Sequence, residues 1–255
     1  MSFGGSSMKH LSRIACCVIP LLTAFAASPA AADDLGGGFA LNGGATVVSD
    51  YRFRGISQTD KRPAIQGTFS ISHESGLYAT VWGSSIDDYV AYGGDVELDL
   101  IFGYKKSFGS TTVDGGFLYY YYPGTGGTNA SFAEPYLAVS QLVGPVTVKG
   151  TIAYAPKQKA LSVGNGAEDN LYLAGDMSFA VPKTPVGLTA HFGHSFGPSY
   201  LTIGKEYSDW SLGATFTHKS LTAGISYVDT NKSLLSPGGR NISGSGVVAS
   251  LGAAF

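Results

Sequence analysis

The sequence predicts an all-β fold, a transmembrane antiparallel up-and-down β-barrel of about 12 strands, and three observations carry that expectation. The first is composition: only 13% of the 255 residues are charged, 12% are aromatic and 36 are glycine, against about 25% charge in an ordinary soluble domain. The second is that, beyond the N-terminal segment, no stretch supplies the ~18 uninterrupted apolar residues of a membrane helix. The third is a recurring two-residue alternation, clearest in Asp95–Tyr104. There Asp95, Glu97 and Asp99 alternate with Val96, Leu98, Leu100 and Phe102, so a strand presents acids on one face and apolar groups on the other. Membrane-like composition without a membrane helix leaves strands as the crossing element.

The N-terminus supplies an address. Lys9 and Arg13 precede an apolar run from Ile14 to Ala27, and Ser28-Pro29-Ala30-Ala31-Ala32 offers an A-x-A cleavage site ahead of Asp33-Asp34. Residues 1–32 read as a cleaved signal peptide, with Met8 as an alternative start, and residues 33–255 as the barrel. Cys16 and Cys17 lie in the apolar run. A lipid-anchored reading of them is poor, because Arg13 stands where a lipobox wants an aliphatic residue. Both leave with the segment, so no disulfide is expected afterwards. Losing Lys9 and Arg13 takes the formal charge from −2 to about −4, which argues against nucleic acid as a partner.

Taken in order, the strands are expected at Leu41–Arg52, Ala64–His73, Leu77–Ile86, Asp95–Tyr104, Thr111–Tyr122 and Phe132–Gln141, then Val146–Tyr154, Glu168–Phe179, Val186–Ser195, Tyr207–Thr217, Leu221–Asp229 and Gly246–Phe255. The first is Gly-rich and weakly patterned. In the second, Ile65, Phe69 and Ile71 oppose Gln66, Thr68, Ser70 and Ser72, and the third sets Leu77, Ala79 and Val81 against Tyr78, Thr80 and Trp82. The fifth ends in Tyr119–Tyr122, an aromatic run suited to a membrane–water interface. The sixth places Leu137 and Val139 opposite Glu134, Tyr136 and Ala138; the eighth places Leu171, Leu173 and Met177 opposite Asn170, Tyr172 and Asp176. The last sets Val247, Ala249, Leu251, Ala253 and Phe255 on one face.

An even count lets the first and last strands pair and leaves no open edge. Connections after even-numbered strands are short, such as Glu74–Gly76 and Lys219-Ser220, whereas those after odd-numbered strands, such as Phe53–Pro63 and Thr230–Ser245, are long and polar. That asymmetry is the layout of an outer-membrane barrel, with short periplasmic turns, long external loops and both termini in the periplasm. Phe255 at the end of an alternating apolar strand resembles the signal that such proteins present to their assembly machinery.

The stretch Ser49–Thr59, SDYRFRGISQT, carries a more specific likeness. With Pro63–Gly67, His73–Tyr78, Val81–Ser84, Glu97–Asp99 and Tyr119–Pro123, it resembles the TorF family of proteobacterial porins over about residues 41–124; Ser85-Ile86 departs from the family pattern at a loop margin. The resemblance implies an outer-membrane β-barrel channel and names no substrate.

For a channel, the chemistry is charge. If the parity of the first strand continues, Asp50, Arg52 and Arg54 share one face and Tyr51 and Phe53 the other. Arginines facing Asp95, Glu97 and Asp99, with Glu134 and Asp176 further round, set a transverse field that filters permeants by charge and size. The competing reading is a salt-bridged network that fills a narrow barrel. Lys61 and Arg62 in the loop after the first strand suit lipopolysaccharide phosphates, and less well an anionic solute. A lipid-modifying enzyme needs a serine, a base and an orienting acid together at the membrane face. His194 and Ser195 are adjacent and so point to opposite faces, while His191 and Ser195 lie about 13 Å apart along one strand. The histidines show no metal-ligand spacing and the Gly-rich segments no phosphate-loop signature, so no cofactor is expected. The sequence thus points to an outer-membrane channel for small hydrophilic solutes, with lipid and lipopolysaccharide as neighbours. A non-conducting structural or adhesion barrel and an outer-membrane lipid-modifying enzyme stand as alternatives.

Overall fold

The computed structural model describes residues 33–164 and 166–255; the signal-peptide reading of residues 1–32 lies outside the described residues. The strands, in order, are β1 (Asp33–Gly36), β2 (Phe39–Val48), β3 (Arg52–Phe53), β4 (Ile56–Ser57), β5 (Ala64–His73), β6 (Leu77–Ser85), β7 (Val96–Phe108), β8 (Thr111–Tyr121), β9 (Phe132–Val143), β10 (Val146–Gln158), β11 (Glu168–Ala180), β12 (Val186–Phe196), β13 (Tyr207–His218), β14 (Leu221–Thr230) and β15 (Gly246–Ala254). From β5 to β15 each pairs antiparallel with the next, and β2 pairs with both β5 and β15, closing a 12-strand barrel. Among the described residues no helix is long and apolar enough to cross a membrane, and strands of this length cross a bilayer when tilted.

Side-chain placement follows the period of two. Ile65, Phe102, Leu212 and Phe216 stand more than half exposed on the outer face, while Gln66, Thr80, Asp99 and Ser211, at the other parity of the strands, are buried on the inner one. The polar set is inside and the apolar set outside, the reverse of a soluble core, so the outer belt belongs in lipid. The strands β2–β5 meet over ten registered pairs, Phe39↔His73 to Val48↔Ala64. At the other edge of β2, β15 pairs only with Gly44–Val48. Below that, Phe255 and Gly43 exchange both backbone hydrogen bonds, at 2.9 and 3.1 Å, and β1 takes up the edge from Leu41 to Phe39.

Large inner side chains are seated over glycines on the next strand. A Cβ on Gly103 would fall 2.4 Å from the Tyr78 ring, and one on Gly116 2.6 Å from the Tyr136 hydroxyl. Tyr78 and Tyr136 hydrogen-bond each other, and Tyr78 donates to Asp114 at 2.7 Å. Gly103→Ala is therefore expected to lower stability by about 1–3 kcal/mol, the usual cost of overpacking. A lower temperature for loss of the compact, heat-modifiable band on denaturing gels checks this.

Two expectations about the first half need correction. The first barrel strand ends at Val48, not Arg52, so the parity argument for Asp50 to Arg54 does not hold. Residues 49–63 turn into the barrel, and Tyr51 and Phe53, expected on the outer face, are buried inside with Arg52 and Arg54. The Tyr119–Tyr122 run is not a uniform interface belt either. Tyr121 faces outward, whereas Tyr120 is fully buried in the interior, as alternation along a strand requires.

Candidate functional site

The inward-folded segment 49–63 is the centre of the site. Its core is the hairpin β3–β4, paired through Arg52↔Ser57 and Phe53↔Ile56. The turn between them, Arg54-Gly55, has φ of +47° and +80°, the type I′ geometry favoured by two-residue hairpins. Glycine adopts that backbone freely, whereas arginine at positive φ is strained and persists only where its surroundings hold it. Gly55 also lies so close to the wall that a Cβ would sit 2.4 Å from Thr230 Cγ2.

What holds Arg54 is a set of partners from distant strands. Its Nη2 donates to both carboxylate oxygens of Glu134 on β9, at 2.6 and 2.8 Å, and its Nη1 to Asn170 Oδ1 on β11 at 2.9 Å. The guanidinium lies 4.0 Å over the Tyr172 ring, and Tyr207 donates its hydroxyl proton to the Arg54 carbonyl. Both side chains of the Arg54–Glu134 pair are 0% exposed. Tyr120 adds a hydrogen bond to Glu134 at 3.1 Å. A pair of this kind, one guanidinium nitrogen shared between both carboxylate oxygens, is a charge-assisted hydrogen bond.

The aromatic side chains of the hairpin pack on the wall. Tyr51 meets Trp82 edge-on at 5.5 Å, Phe53 meets Tyr120 at 5.7 Å, and Tyr120 stacks on Phe132 at 4.3 Å. Tyr51 donates to Glu97 Oε1 at 2.9 Å. Arg52 is paired within its own loop, with Asp50 at 2.6 Å, and donates to the carbonyls of Gly55, Ile242 and Gly244. Segment 231–245 thus lies over the hairpin. From loop 86–95, Tyr89 donates to the Ser57 carbonyl at 2.6 Å; burial pushes its pKa up to about 12, so it remains a donor at any physiological pH.

Of the acids singled out from sequence, the fold separates three settings. Glu97 and Asp99 on β7 are 1% exposed and sit at the level of the hairpin; neither makes an ion pair among the described residues, and Asp99 Oδ1 has no protein hydrogen-bond partner. Glu134 is taken by Arg54. Asp176 lies further down the wall, with Lys149 Nζ at 2.8 Å and His191 Nδ1 at 2.7 Å, and His191 reaches Asp209 on its other nitrogen at 3.0 Å. Asp95 does not join them: β7 begins at Val96, and Asp95 is an exposed loop residue whose carbonyl accepts from Ile86 N–H. Arg62 contacts Asp87 and Asp60 at the outer surface, and Arg240 approaches Asp60 at 3.5 Å, so much of that basic charge is compensated locally. Asn170, Tyr172, Tyr207 and Asp209 escaped the sequence argument as a group, because only the register of β11 to β13 brings them to one place.

A closed antiparallel barrel with a polar interior, an apolar outer belt, short turns at one end and long loops at the other is a barrel of the outer-membrane porin type. Among solved structures it resembles the NanC porin, with a TM-score of 0.57 and 13% identity over 84% of this chain and 98% of that one. A membrane protein from work on in-meso crystallisation matches with a TM-score of 0.51 and 9% identity, over 84% and 83%. An outer membrane channel from Pseudomonas putida F1 matches with a TM-score of 0.49 and 11% identity, over 87% and 98%. At such identities the likeness is one of fold. The chain belongs to the family described as "Bacterial protein of unknown function (Gcw_chp)", matched over residues 32–255. No curated protein matches it.

Proposed function

We propose that the protein is an outer-membrane channel for passive diffusion of small hydrophilic solutes, constricted by the 49–63 loop and selective for neutral or cationic permeants. The supporting observation is the charge balance at the constriction. Arg52 is balanced by Asp50 and Arg54 by Glu134, which leaves Glu97 and Asp99 as uncompensated acids facing the interior. Arg54 Nε and Asp99 Oδ1 lack protein partners and are sealed from solvent; leaving buried polar atoms unbonded costs free energy, a cost relieved when the hairpin withdraws and water enters the lumen. Transport on this reading is exclusion by width and electrostatic filtering, with no chemical step in the lumen, in keeping with the TorF-family resemblance. Export to the outer membrane, assembly through Phe255 and contact of Lys61 with lipopolysaccharide phosphates belong to the same proposal.

The fully buried Arg54–Glu134 pair also favours a second reading, a barrel that stays plugged and serves as a structural or adhesion element. Planar-bilayer recording on refolded protein separates the two. Discrete, small, cation-preferring steps are expected, and Glu97→Gln with Asp99→Asn should move the reversal potential towards zero. A membrane that stays silent across salt and voltage for the protein and for a variant with residues 52–57 replaced by a Gly/Ser linker rejects the channel.

A further inference from the structure

We propose that the outer wall of the barrel carries an acyl-ester hydrolase site, formed by Ser208, His194 and Glu206 and directed at the carboxylic esters of lipids in the outer leaflet. The inference does not depend on whether the lumen conducts. His194 and Ser208 are direct cross-strand partners on β12 and β13. On these strands Ser195, Tyr207 and Asp209 are buried and face the interior, where Tyr207 and Asp209 meet Arg54 and His191. Alternation then puts His194 and Ser208 on the lipid side, in line with the exposed Phe192, Phe196 and Leu212. Both lie near the ends of their strands that carry the long 197–206 loop, so they sit at the outer rim.

The contacts are those of an activated nucleophile. Ser208 Oγ is 2.8 Å from His194 Nδ1, and the other ring nitrogen, Nε2, is 4.0 Å from Glu206 Oε2. On this proposal Ser208 is the nucleophile, His194 the base, and the exposed Glu206, beyond hydrogen-bond distance at 4.0 Å, the acid that would orient it. The imidazole is held edge-on against Phe196 at 4.4 Å. Glu206 is positioned through its loop: Lys232 Nζ donates to the carbonyls of Thr202 and Lys205, the second at 2.8 Å. Burial and the nearby Lys205 charge lower the Lys232 pKa. Asn231 accepts from Ser208 N–H through Oδ1 at 2.8 Å, which fixes the backbone of the serine.

Location selects the substrate class. Trp210 shares the outward face of β13 with Ser208, and Trp with Phe196 and Phe192 marks the level where apolar wall meets headgroups. Ester carbonyls of membrane lipids lie at that level, with their acyl chains running down the Phe192–Leu212 belt. In the step proposed, Ser208 Oγ forms a bond to the ester carbonyl carbon as its proton passes to His194. The carbon–oxygen bond to the alcohol breaks and the imidazolium returns that proton to the leaving oxygen. Water then adds to the acyl-serine with His194 as base, releasing the fatty acid and restoring Ser208. The sum is ester plus water to acid plus alcohol. Ser195 is buried on the opposite face of β12 from His194 and forms no dyad with it; the serine comes from the neighbouring strand.

The test uses refolded full-length barrel, a fluorophosphonate probe, and vesicles of ester-linked or ether-linked phospholipid. Fatty-acid release from the ester lipid only, with the probe on Ser208 by mass spectrometry, is expected. Ser208→Ala and His194→Gln should lose about 10⁴–10⁶-fold in rate, as removal of a triad nucleophile or base does, and Glu206→Gln less, each with a heat-modifiable gel shift showing a folded barrel. No release and no labelling by the folded protein, labelling at a different serine, or an undiminished rate in Ser208→Ala overturns the site.

Discussion

Glu134→Ala is expected to open the barrel more than any other single change. It leaves the Arg54 guanidinium buried in the interior with Asn170 as its remaining side-chain acceptor. Removing one partner of a buried pair typically costs about 3–5 kcal/mol, which at 1.4 kcal/mol per tenfold is roughly a hundred- to several-thousand-fold in the docked population of the hairpin. The strain at the Arg54 backbone adds to the same side of the balance. Single-channel recording should show a large rise in open probability and a larger unit conductance. Arg54→Ala should open the channel less, because Glu134 keeps its bond from Tyr120, and should increase cation preference. Arg52→Ala should shift selectivity little, since Arg52 is already balanced by Asp50. If Glu134→Ala leaves both conductance and open probability at wild-type values, the pair does not govern the constriction. The double variant measures the coupling between the two groups directly.

The second large effect is expected from Gly55→Ala, a change that leaves every charge in place. An L-residue at φ +80° is disfavoured by about 1–2 kcal/mol, and its Cβ would lie 2.4 Å from Thr230 Cγ2 and 2.9 Å from Asp209 Cβ. Neither neighbour yields easily, since both belong to the wall. The hairpin tip must withdraw, so conductance should rise while the reversal potential stays near the wild-type value. That combination distinguishes steric from electrostatic control. A shifted reversal potential with unchanged conductance would contradict this account of Gly55.

Most of the wall is legible residue by residue. Ile65 and Phe69 against Gln66 and Ser70, or Leu98 and Leu100 against Glu97 and Asp99, declare their faces because a strand has period two and the two media differ sharply in polarity. The plug is not legible that way. Asp50, Arg52 and Arg54 continue the parity of β2 without interruption, and the only local sign of a hairpin is Arg54-Gly55, in a position where Asn-Gly is the usual signal. Its partners Glu134 and Asn170 lie 80 and 116 residues away, and only the register of the closed barrel brings them together. Tyr119–Tyr122 fails as an interface belt for the same reason, since alternation sends half of such a run inward. Register also decides the outer site: His194 and Ser208 meet because β12 and β13 pair Ser195 with Tyr207, and slipping that pairing by one residue would separate them.

The joint between β2 and β15 gives the molecule a temporal order. Its five registered pairs and the reciprocal bonds of Phe255 with Gly43 connect residues about two hundred positions apart, while every other neighbour in the ring is also a neighbour in the chain. Each hairpin can therefore form as soon as its two strands exist, but the circle cannot be completed until β15 and Phe255 have been made and delivered. Until then the first strand offers an open edge that β1 covers only at its lower end. Phe255, through its paired backbone bonds to Gly43, is thus the clasp of the ring.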